Sequence, residues 1–352
     1  MLEKAIVSTM FKVKGELYMQ CSITEEANGM PRKVVLRLAR DEVARVAYSF
    51  PCWDVLNRRG RGMVRYATPL EFRLTEREMA RYKPPLEEHL KILGLVDQGG
   101  KPIYRAVVVS NRNLGNNLGY VAYDRLKSPK LFHLWGEPVD RWAYKCFLVG
   151  VKGGFEIAWL RFEGERVYRV EGPDGWEGEE ITDEVDWAIS GCPLVEGGRV
   201  VNIEQPEILR YFYDIRHVFF FDITDPAEEQ ALYGLFEDFL EDPDSLGRKA
   251  AQLFGRRSRS FYLHTCLGLA EGGVLIVQAA GRLEEVGQLL VAEGAKEAII
   301  LDNAGSCFIY GTLSPERWGF LSVAPGWRPP TISCLAFVLH GPIPFRRSGR
   351  AG

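Results

Sequence analysis

The chain has 352 residues, of which 46% are apolar and 26% are charged. These proportions are those of an ordinary globular protein, and the length is enough for a large hydrophobic core and about two domains. The net charge of −3 and the pI of about 6.1 argue against a general nucleic-acid-binding surface, which would be basic. We therefore expect no nucleic-acid partner.

Leader, membrane and metal signals are also missing from the sequence. Residues 1–7 contain an early acid and no long apolar stretch, unlike a secretory signal. No run approaches the roughly 18 apolar residues of a membrane-spanning helix. The seven cysteines are scattered and form no CxxC pair, which indicates neither a zinc site nor a disulfide framework. We expect a cytoplasmic protein with reduced thiols, no membrane association, no metal and no cofactor.

The first hundred residues are predicted to form a smaller α+β unit of unknown role. Apolar runs at residues 4–12 and 16–22 flank a Lys-Gly pair, as in a β-hairpin. Residues 33–38 predict another strand and residues 41–49 predict a helix. A second helix is predicted over residues 86–93. Strand signals then replace helix signals, and we place a domain boundary at that change.

The remainder of the chain is predicted to be α+β. Residues 105–110 and 146–151 are apolar runs typical of buried strands. Residues 155–162 and 166–170 predict a β-hairpin across a Glu-Gly-Glu turn. Residues 227–240 carry the strongest helical pattern in the middle of the chain.

One segment, residues 298–310, combines a buried strand with polar side chains at its end. Four apolar residues lead into Asp302, and a turn of small residues follows before an apolar run resumes. A carboxylate held at the end of a rigid strand is well placed for chemistry on a polar ligand. The alternative is an Asx turn, in which Asp302 only caps its own backbone.

The residues before this segment predict a crossover connection. Residues 273–279 resemble a strand, and residues 283–293 have the spacing of an amphipathic helix that ends at Gly294. With the strand at residues 298–302, they form a strand–helix–strand unit of about 30 residues. Such a unit places Asp302 at the carboxyl end of its strand, where ligands commonly bind.

Six short motifs occur in order along residues 104–340. They are Lys152-Gly153-Gly154-Phe155, Ile189-Ser190-Gly191-Cys192-Pro193-Leu194, His264-Thr265-Cys266-Leu267-Gly268, Ala280-Gly281-Arg282, Leu301-Asp302-Asn303-Ala304-Gly305-Ser306 and Trp327-Arg328-Pro329. Together they resemble the phosphodiester glycosidase family, which includes the uncovering enzyme that removes N-acetylglucosamine from mannose-6-phosphate tags. The resemblance implies a glycosidase domain that acts on sugar phosphodiesters.

The chain departs from the family pattern mainly at polar positions. Lys152 and Trp327 stand where asparagine is usual, His264 replaces an arginine, and Ala280 replaces an aspartate. Most of the glycines and prolines that shape the backbone are kept. Inheritance of the fold therefore follows more directly than inheritance of the activity.

The resemblance and the residue chemistry together give a set of candidate site residues. The catalytic candidates are Asp302 and Glu156, because glycosidic bond cleavage commonly uses two carboxylates. The substrate-binding candidates are Lys152, Gly153, Gly154, Ser190, Gly191, His264, Thr265, Arg282, Asn303, Gly305, Ser306 and Arg328. Arginines and a protonated histidine would hold a phosphate. The alternatives are that His264 is a core residue of an apolar strand and that Glu156 is a solvated strand residue. The glycine pairs and the Asp302 turn are expected to surround one cleft. Cys307 is rejected as a nucleophile, because no histidine stands at a recognisable spacing to act as its base.

The predicted fold class is α+β. Residues 101–344 would form a mixed β-sheet domain with packed helices, residues 1–100 a smaller N-terminal α+β domain, and residues 345–352 a disordered tail. The leading function is hydrolysis of a glycosyl-1-phosphodiester or a related glycosidic bond, with a small-molecule or glycan substrate. The alternative is a catalytically inactive module on the same fold that binds a phosphorylated sugar or a protein.

Overall fold

The structure is a computed structural model that describes residues 6–13, 16–25, 31–51, 75, 77, 84–111, 121–126, 128–133, 143–173, 175–201, 262–303, 307–314, 317–323 and 333–342. Strands dominate these ranges, and two α-helices accompany them. The predicted α+β class with packed helices is therefore confirmed only in part, because the described residues form a mostly antiparallel β-structure with a minor helical part. Neither described α-helix is long and apolar enough to cross a membrane.

The elements follow one another along the chain as follows. They are β1 (Ile6–Val13), β2 (Glu16–Glu25), β3 (Pro31–Ala39), β4 (Val43–Ser49), α1 (Leu86–Ile92), β5 (Tyr104–Ser110), β6 (Val121–Asp124), β7 (Ser128–His133), β8 (Ala143–Gly150), β9 (Phe155–Glu163), β10 (Arg166–Val170), β11 (Gly178–Glu180), β12 (Val185–Ser190), β13 (Cys192–Glu196), β14 (Arg199–Val200), β15 (Tyr262–Ala270), β16 (Gly273–Gly281), α2 (Leu283–Ala292), β17 (Ala295–Asn303), β18 (Phe308–Ser314), β19 (Arg317–Val323) and β20 (Cys334–Pro342).

The strands form three sheets. The first sheet has the order β1-β2-β3-β16-β15-β17-β13-β14, the second β11-β10-β9-β8-β12-β6-β7, and the third β19-β18-β5-β20-β4. Neighbouring strands are antiparallel in all three. The predicted hairpins β1–β2 and β9–β10 are confirmed.

The crossover unit around α2 is confirmed. Strands β16 and β17 are both antiparallel to β15, which lies between them, so they run parallel to each other and need the crossover that α2 supplies. The helix buries Leu283, Val286 and Leu290, which have helical spacing, and Gly294 follows with a φ of 93°. Asp302 consequently lies at the carboxyl end of β17.

The third sheet is buried on both faces, because its side chains alternate between two apolar clusters. Val107 and Val109 join the main core, which spans all three sheets. Ala106 and Val108 face the opposite way and pack in a smaller cluster with Leu90 and other residues of the α1 region. The confirmed helix α1 is therefore the cover of one sheet face.

Residues 41–49 correct a prediction. A 3-10 turn over Arg40–Glu42 is followed by strand β4 and not by an α-helix. Val46 and Tyr48 point into the main core, whereas Ala47 packs in the smaller cluster. This period of two, together with pairing to β20, outweighs the local helical tendency of the segment.

The predicted boundary near residue 100 does not separate the sheets. Strand β3 pairs with β16, and β4 pairs with β20. Residues 31–49 and the later strands therefore contribute to the same two sheets and the same core. The predicted helix at residues 227–240 and the tail at residues 345–352 lie outside the described residues.

Candidate functional site

Asp302 is a buried carboxylate between sheets. It pairs with Thr265 of the neighbouring strand β15, and its exposed fraction is 1%. Burial of an ionisable group in a β-core is costly unless polar groups surround it. The polar groups near Asp302 therefore determine how much its burial costs in stability.

A chain of buried polar side chains joins the first and third sheets beside Asp302. Gln278 donates from Nε2 to Thr265 Oγ1 at 3.2 Å, and Ser322 donates its hydroxyl to Gln278 Oε1. Ser110 Oγ lies 3.5 Å from Thr265 Oγ1 and accepts a hydrogen bond from the Phe308 amide at 3.1 Å. The hydroxyl of Thr265 is thus held by partners on β5 and β16, and its orientation is fixed.

Cys307 completes this polar cluster without being activated by it. Burial raises the pKa of the Cys307 thiol well above its ordinary value, and the nearby Asp302 carboxylate raises it further. The thiol donates a hydrogen bond to the Leu263 carbonyl oxygen at 3.6 Å. The protonated, buried thiol fits the rejection of Cys307 as a nucleophile.

His264 does not join Asp302. Successive residues of a strand point to opposite faces, so His264 faces away from the side on which Thr265 and Asp302 meet. His264 and Gly268 lie on the same face of β15, because they are four residues apart in the strand. Helix α2 covers this face, since a Cβ placed at Gly268 would stand 3.4 Å from Leu290 Cδ2. Burial lowers the pKa of His264 to about 4. The buried, neutral ring agrees with the alternative that His264 is a core residue, and it does not favour the phosphate-binding role expected for a protonated His264.

Ser190 and Gly191 lie where the chain passes from the second sheet to the first. Ser190 pairs with Cys146 in β8, and Cys192 pairs with Ile300 in β17. A Cβ built at Gly191 would stand 2.7 Å from Ile299 Cδ1, so this close passage requires glycine. Both residues therefore lie beside the middle of β17, two to three residues before Asp302.

The turn at residues 151–154 lies at the opposite end of the second sheet. Gly150, which precedes it, pairs with Val185, whereas Ser190 is at the other end of the same strand β12. Gly153 has a φ of 73° and shapes this exposed turn. Lys152, Gly154 and Glu156 line one pocket that also contains Leu269 of β15.

The two predicted catalytic carboxylates are separated. Leu269, which lines the Glu156 pocket, is four residues from Thr265, or about 14 Å along the strand. Paired carboxylates of glycosidases stand about 5–9.5 Å apart. Glu156 instead accepts a hydrogen bond from Arg169 Nε at 3.1 Å. These observations argue against the prediction that Glu156 acts with Asp302 in one cleft.

The remaining candidates divide between the Asp302 end and the part of the chain outside the described ranges. Arg282 is exposed at the start of α2, and its backbone N–H donates to Glu285 Oε2 at 2.9 Å. It follows β16, so it lies at the same end of the first sheet as Asp302. Asn303 pairs with His264 through the backbone. Gly305, Ser306 and Arg328 lie outside the described residues.

Sequence reasoning missed several polar residues of this region. Ser110, Gln278 and Ser322 contact the cluster directly, and Asn111 follows Ser110 with 1% exposure. Asn111 Oδ1 has no hydrogen-bond partner among the described residues. A signal was present for two of them, since the apolar strand β5 runs into Ser110 and Asn111 as β17 runs into Asp302 and Asn303. Gln278 and Ser322 lie inside strands and give no such signal.

Metal-binding geometry is not found in this region. Within the described ranges, no three His, Cys, Asp or Glu side chains are grouped as a metal site requires.

Comparison with known proteins gives only distant structural similarities. No family model and no curated protein matches the sequence. Among solved structures, the zebrafish N-acetylglucosamine-1-phosphodiester alpha-N-acetylglucosaminidase catalytic domain, auto-inhibited by its pro-peptide, is similar with a TM-score of 0.44 and 13% identity, over 96% of this chain and 88% of that chain. A hypothetical protein from Synechocystis is similar with a TM-score of 0.34 and 12% identity, over 96% of this chain and 64% of that chain.

Proposed function

We propose that the chain hydrolyses a glycosyl-1-phosphodiester or a related glycosidic bond at the carboxyl end of β17, with Asp302 as the reacting carboxylate. One observation carries the proposal. Asp302 is a buried acid at the end of a central strand, and it pairs with Thr265, whose hydroxyl is held by Gln278 and Ser110. A carboxylate in such surroundings is suited to general acid or base catalysis.

The polar network would give the site its rigidity. Gln278 and Ser110 both contact the Thr265 hydroxyl, and the backbone pairing of Thr265 with Asp302 then sets the position of the carboxylate. Groups fixed in this way reorganise little when charge develops in a transition state. Thr265 acts here as a positioning residue for Asp302.

A second candidate function is binding of a phosphorylated sugar without cleavage. Two observations favour it: Glu156 lies far from Asp302, and His264 is neutral on the other face of the sheet. The 1% exposure of Asp302 also means that a substrate reaches the carboxylate only when covering atoms move. The test must therefore separate binding from turnover.

The experiment compares wild type with Asp302→Asn on a panel of glycosyl-1-phosphodiesters, with release of free sugar followed by NMR. The substitution keeps the size of the side chain but removes its charge and its proton transfer. Hydrolysis should fall about a hundredfold or more, while binding of the phosphodiester stays close to that of wild type, because the carboxylate acts mainly on the transition state.

Asp186→Asn is the matched control, since Asp186 is a partly exposed partner of Arg125 at 3.1 Å and lies away from the cluster. It should hydrolyse at the wild-type rate. Binding by wild type without sugar release across the panel would replace the enzyme proposal with the binding module. Unfolding of Asp302→Asn would assign Asp302 a structural role, as in the Asx turn.

A further inference from the structure

A pocket of about 470 Å³ opens beside the turn between β8 and β9, at the end of the second sheet away from Asp302. Its charged lining residues are Arg40, Lys152, Arg169, Glu156 and Glu184. Three cations and two carboxylates leave a net charge of +1 in the lining. The pocket therefore favours an anion over a cation.

The charged groups differ in how far they are already neutralised. Arg169 is bound to Glu156 and donates to Glu179 at 2.8 Å, so its charge is compensated within the protein. Arg40 donates from Nη2 to the Phe155 carbonyl oxygen at 3.0 Å and stacks over the Phe155 ring at 5.0 Å. Neither contact neutralises its charge.

Lys152 is the second cation without a carboxylate partner. It is exposed in the turn, and no ion pair to it occurs within the described residues. Gly154, two residues later, also lines the pocket, and a Cβ built there would meet nothing within 4 Å. The turn therefore leaves open space next to the lysine.

The remaining wall of the pocket is apolar. Leu148, Val185 and Leu269 come from the second and first sheets, and Phe155 is held in place by Arg40. Polar groups at the mouth and apolar side chains behind them are the usual composition of a small-molecule site.

We propose that this pocket binds a small phosphate monoester with an apolar substituent. Arg40 and Lys152 hold the phosphate, and the apolar group lies against Leu148, Val185 and Leu269. A phosphate monoester carries about −1.5 to −2 charges near pH 7, which matches two cations better than a carboxylate does. Among the described residues, Glu156 is paired with Arg169, whereas Glu184 has no ion pair. The charge of Glu184 therefore opposes the anion and limits its affinity.

The test is isothermal titration calorimetry of the full chain with phenyl phosphate, inorganic phosphate and benzoate. Phenyl phosphate should bind more tightly than either of the others, because only it supplies both the dianion and the ring. Lys152→Gln should weaken phenyl phosphate binding about fivefold or more, whereas Lys152→Arg, which keeps the charge, should bind phenyl phosphate nearly as tightly as wild type. Glu184→Gln should strengthen binding severalfold, because it removes the opposing charge.

Lys101→Gln is the matched control, since Lys101 is an exposed lysine in another turn. It removes the same charge and should leave the affinity unchanged. Equal affinity of wild type and Lys152→Gln, or no preference of wild type for phenyl phosphate over inorganic phosphate, overturns the proposal. Loss of binding in Asp302→Asn with retention in Lys152→Gln also overturns it, because the ligand would then lie at the other end of the molecule.

Discussion

At the scale of single residues, burial decides what His264 can do. Its ring is fully buried, and its pKa falls to about 4, whereas an unfolded histidine has a pKa near 6.5. Between these two values the unfolded chain binds a proton at this residue and the folded chain does not. The free energy of unfolding must therefore fall as the pH falls through this window.

The predicted size of this effect is about 2–3 kcal/mol between about pH 7.5 and about pH 4.5. Urea unfolding at both values measures it, and His264→Asn should lose that part of the pH dependence. His340→Gln, at an exposed histidine, should keep the wild-type dependence. If wild type and His264→Asn lose the same stability on acidification, His264 is not a neutral buried residue.

The position of Asp302 at a strand end could be predicted from the sequence, but the sheet face on which each neighbouring side chain lies could not. The apolar run, the aspartate and the small residues after it are local, and local patterns place a residue at a strand end. Which face Thr265 or His264 takes depends on the pairing of β15 with β16 and β17, which adjacent residues do not reveal. For the same reason, the sequence could not show that Glu156 and Asp302 lie in different sheets, on β9 and β17.

At the scale of elements, the pairings that the sequence predicted correctly are those between strands joined by a short connection. The hairpins β1–β2 and β9–β10 and the unit β16–α2–β17 were predicted because each closes within the sequence that encodes it. Strand β4 was missed because its partner β20 is nearly three hundred residues away. Long-range pairing supplied the information that decided the structure of residues 43–49.

A buried lysine links elements of two sheets. Lys145 of β8, with 4% of its side chain exposed, contacts Glu297 of β17 and lies 3.1 Å from Glu196 of β13. Trp159 of β9 donates from Nε1 to Glu196 at 2.6 Å, and the lysine ammonium lies 5.3 Å from the ring centroid. One cation therefore connects four strands across the interface between the first and second sheets.

Lys145→Met keeps the apolar stem of the side chain and removes its charge, which leaves two carboxylates together. The acids are about one-third exposed, so water reduces their repulsion. We expect a loss of about 1–3 kcal/mol in the free energy of unfolding, measured by urea denaturation. Lys91→Met, which breaks an exposed 3.5 Å pair with Glu88, should change it by less than about 0.5 kcal/mol. Equal effects of the two changes would show that the buried cluster does not stabilise the sheet interface.

At the scale of the whole molecule, strands from the early part of the chain pair with strands from its late part in the same sheets. Strand β3 lies beside β16 in the first sheet, and β4 lies beside β20 in the third. Helix α1 then covers the outer face of the third sheet. Residues before and after residue 100 therefore belong to the same sheets and share one main core.

The last prediction tests this dependence by removing residues 1–100 in one chain and by cutting the chain at residues 97–100 in another. The shortened chain leaves the edges of β16 and β20 unpaired and removes the cover of Ala106 and Val108, so it should lose near-ultraviolet circular dichroism and aggregate. A protease site in the exposed turn at residues 97–100 cuts only a connection. The two pieces should remain together in gel filtration and unfold in one transition, because the paired strands hold them.

A shortened chain that unfolds cooperatively near the temperature of the intact protein would show that residues 101–344 are an independent domain. Separation of the two cut pieces under native conditions would show the same.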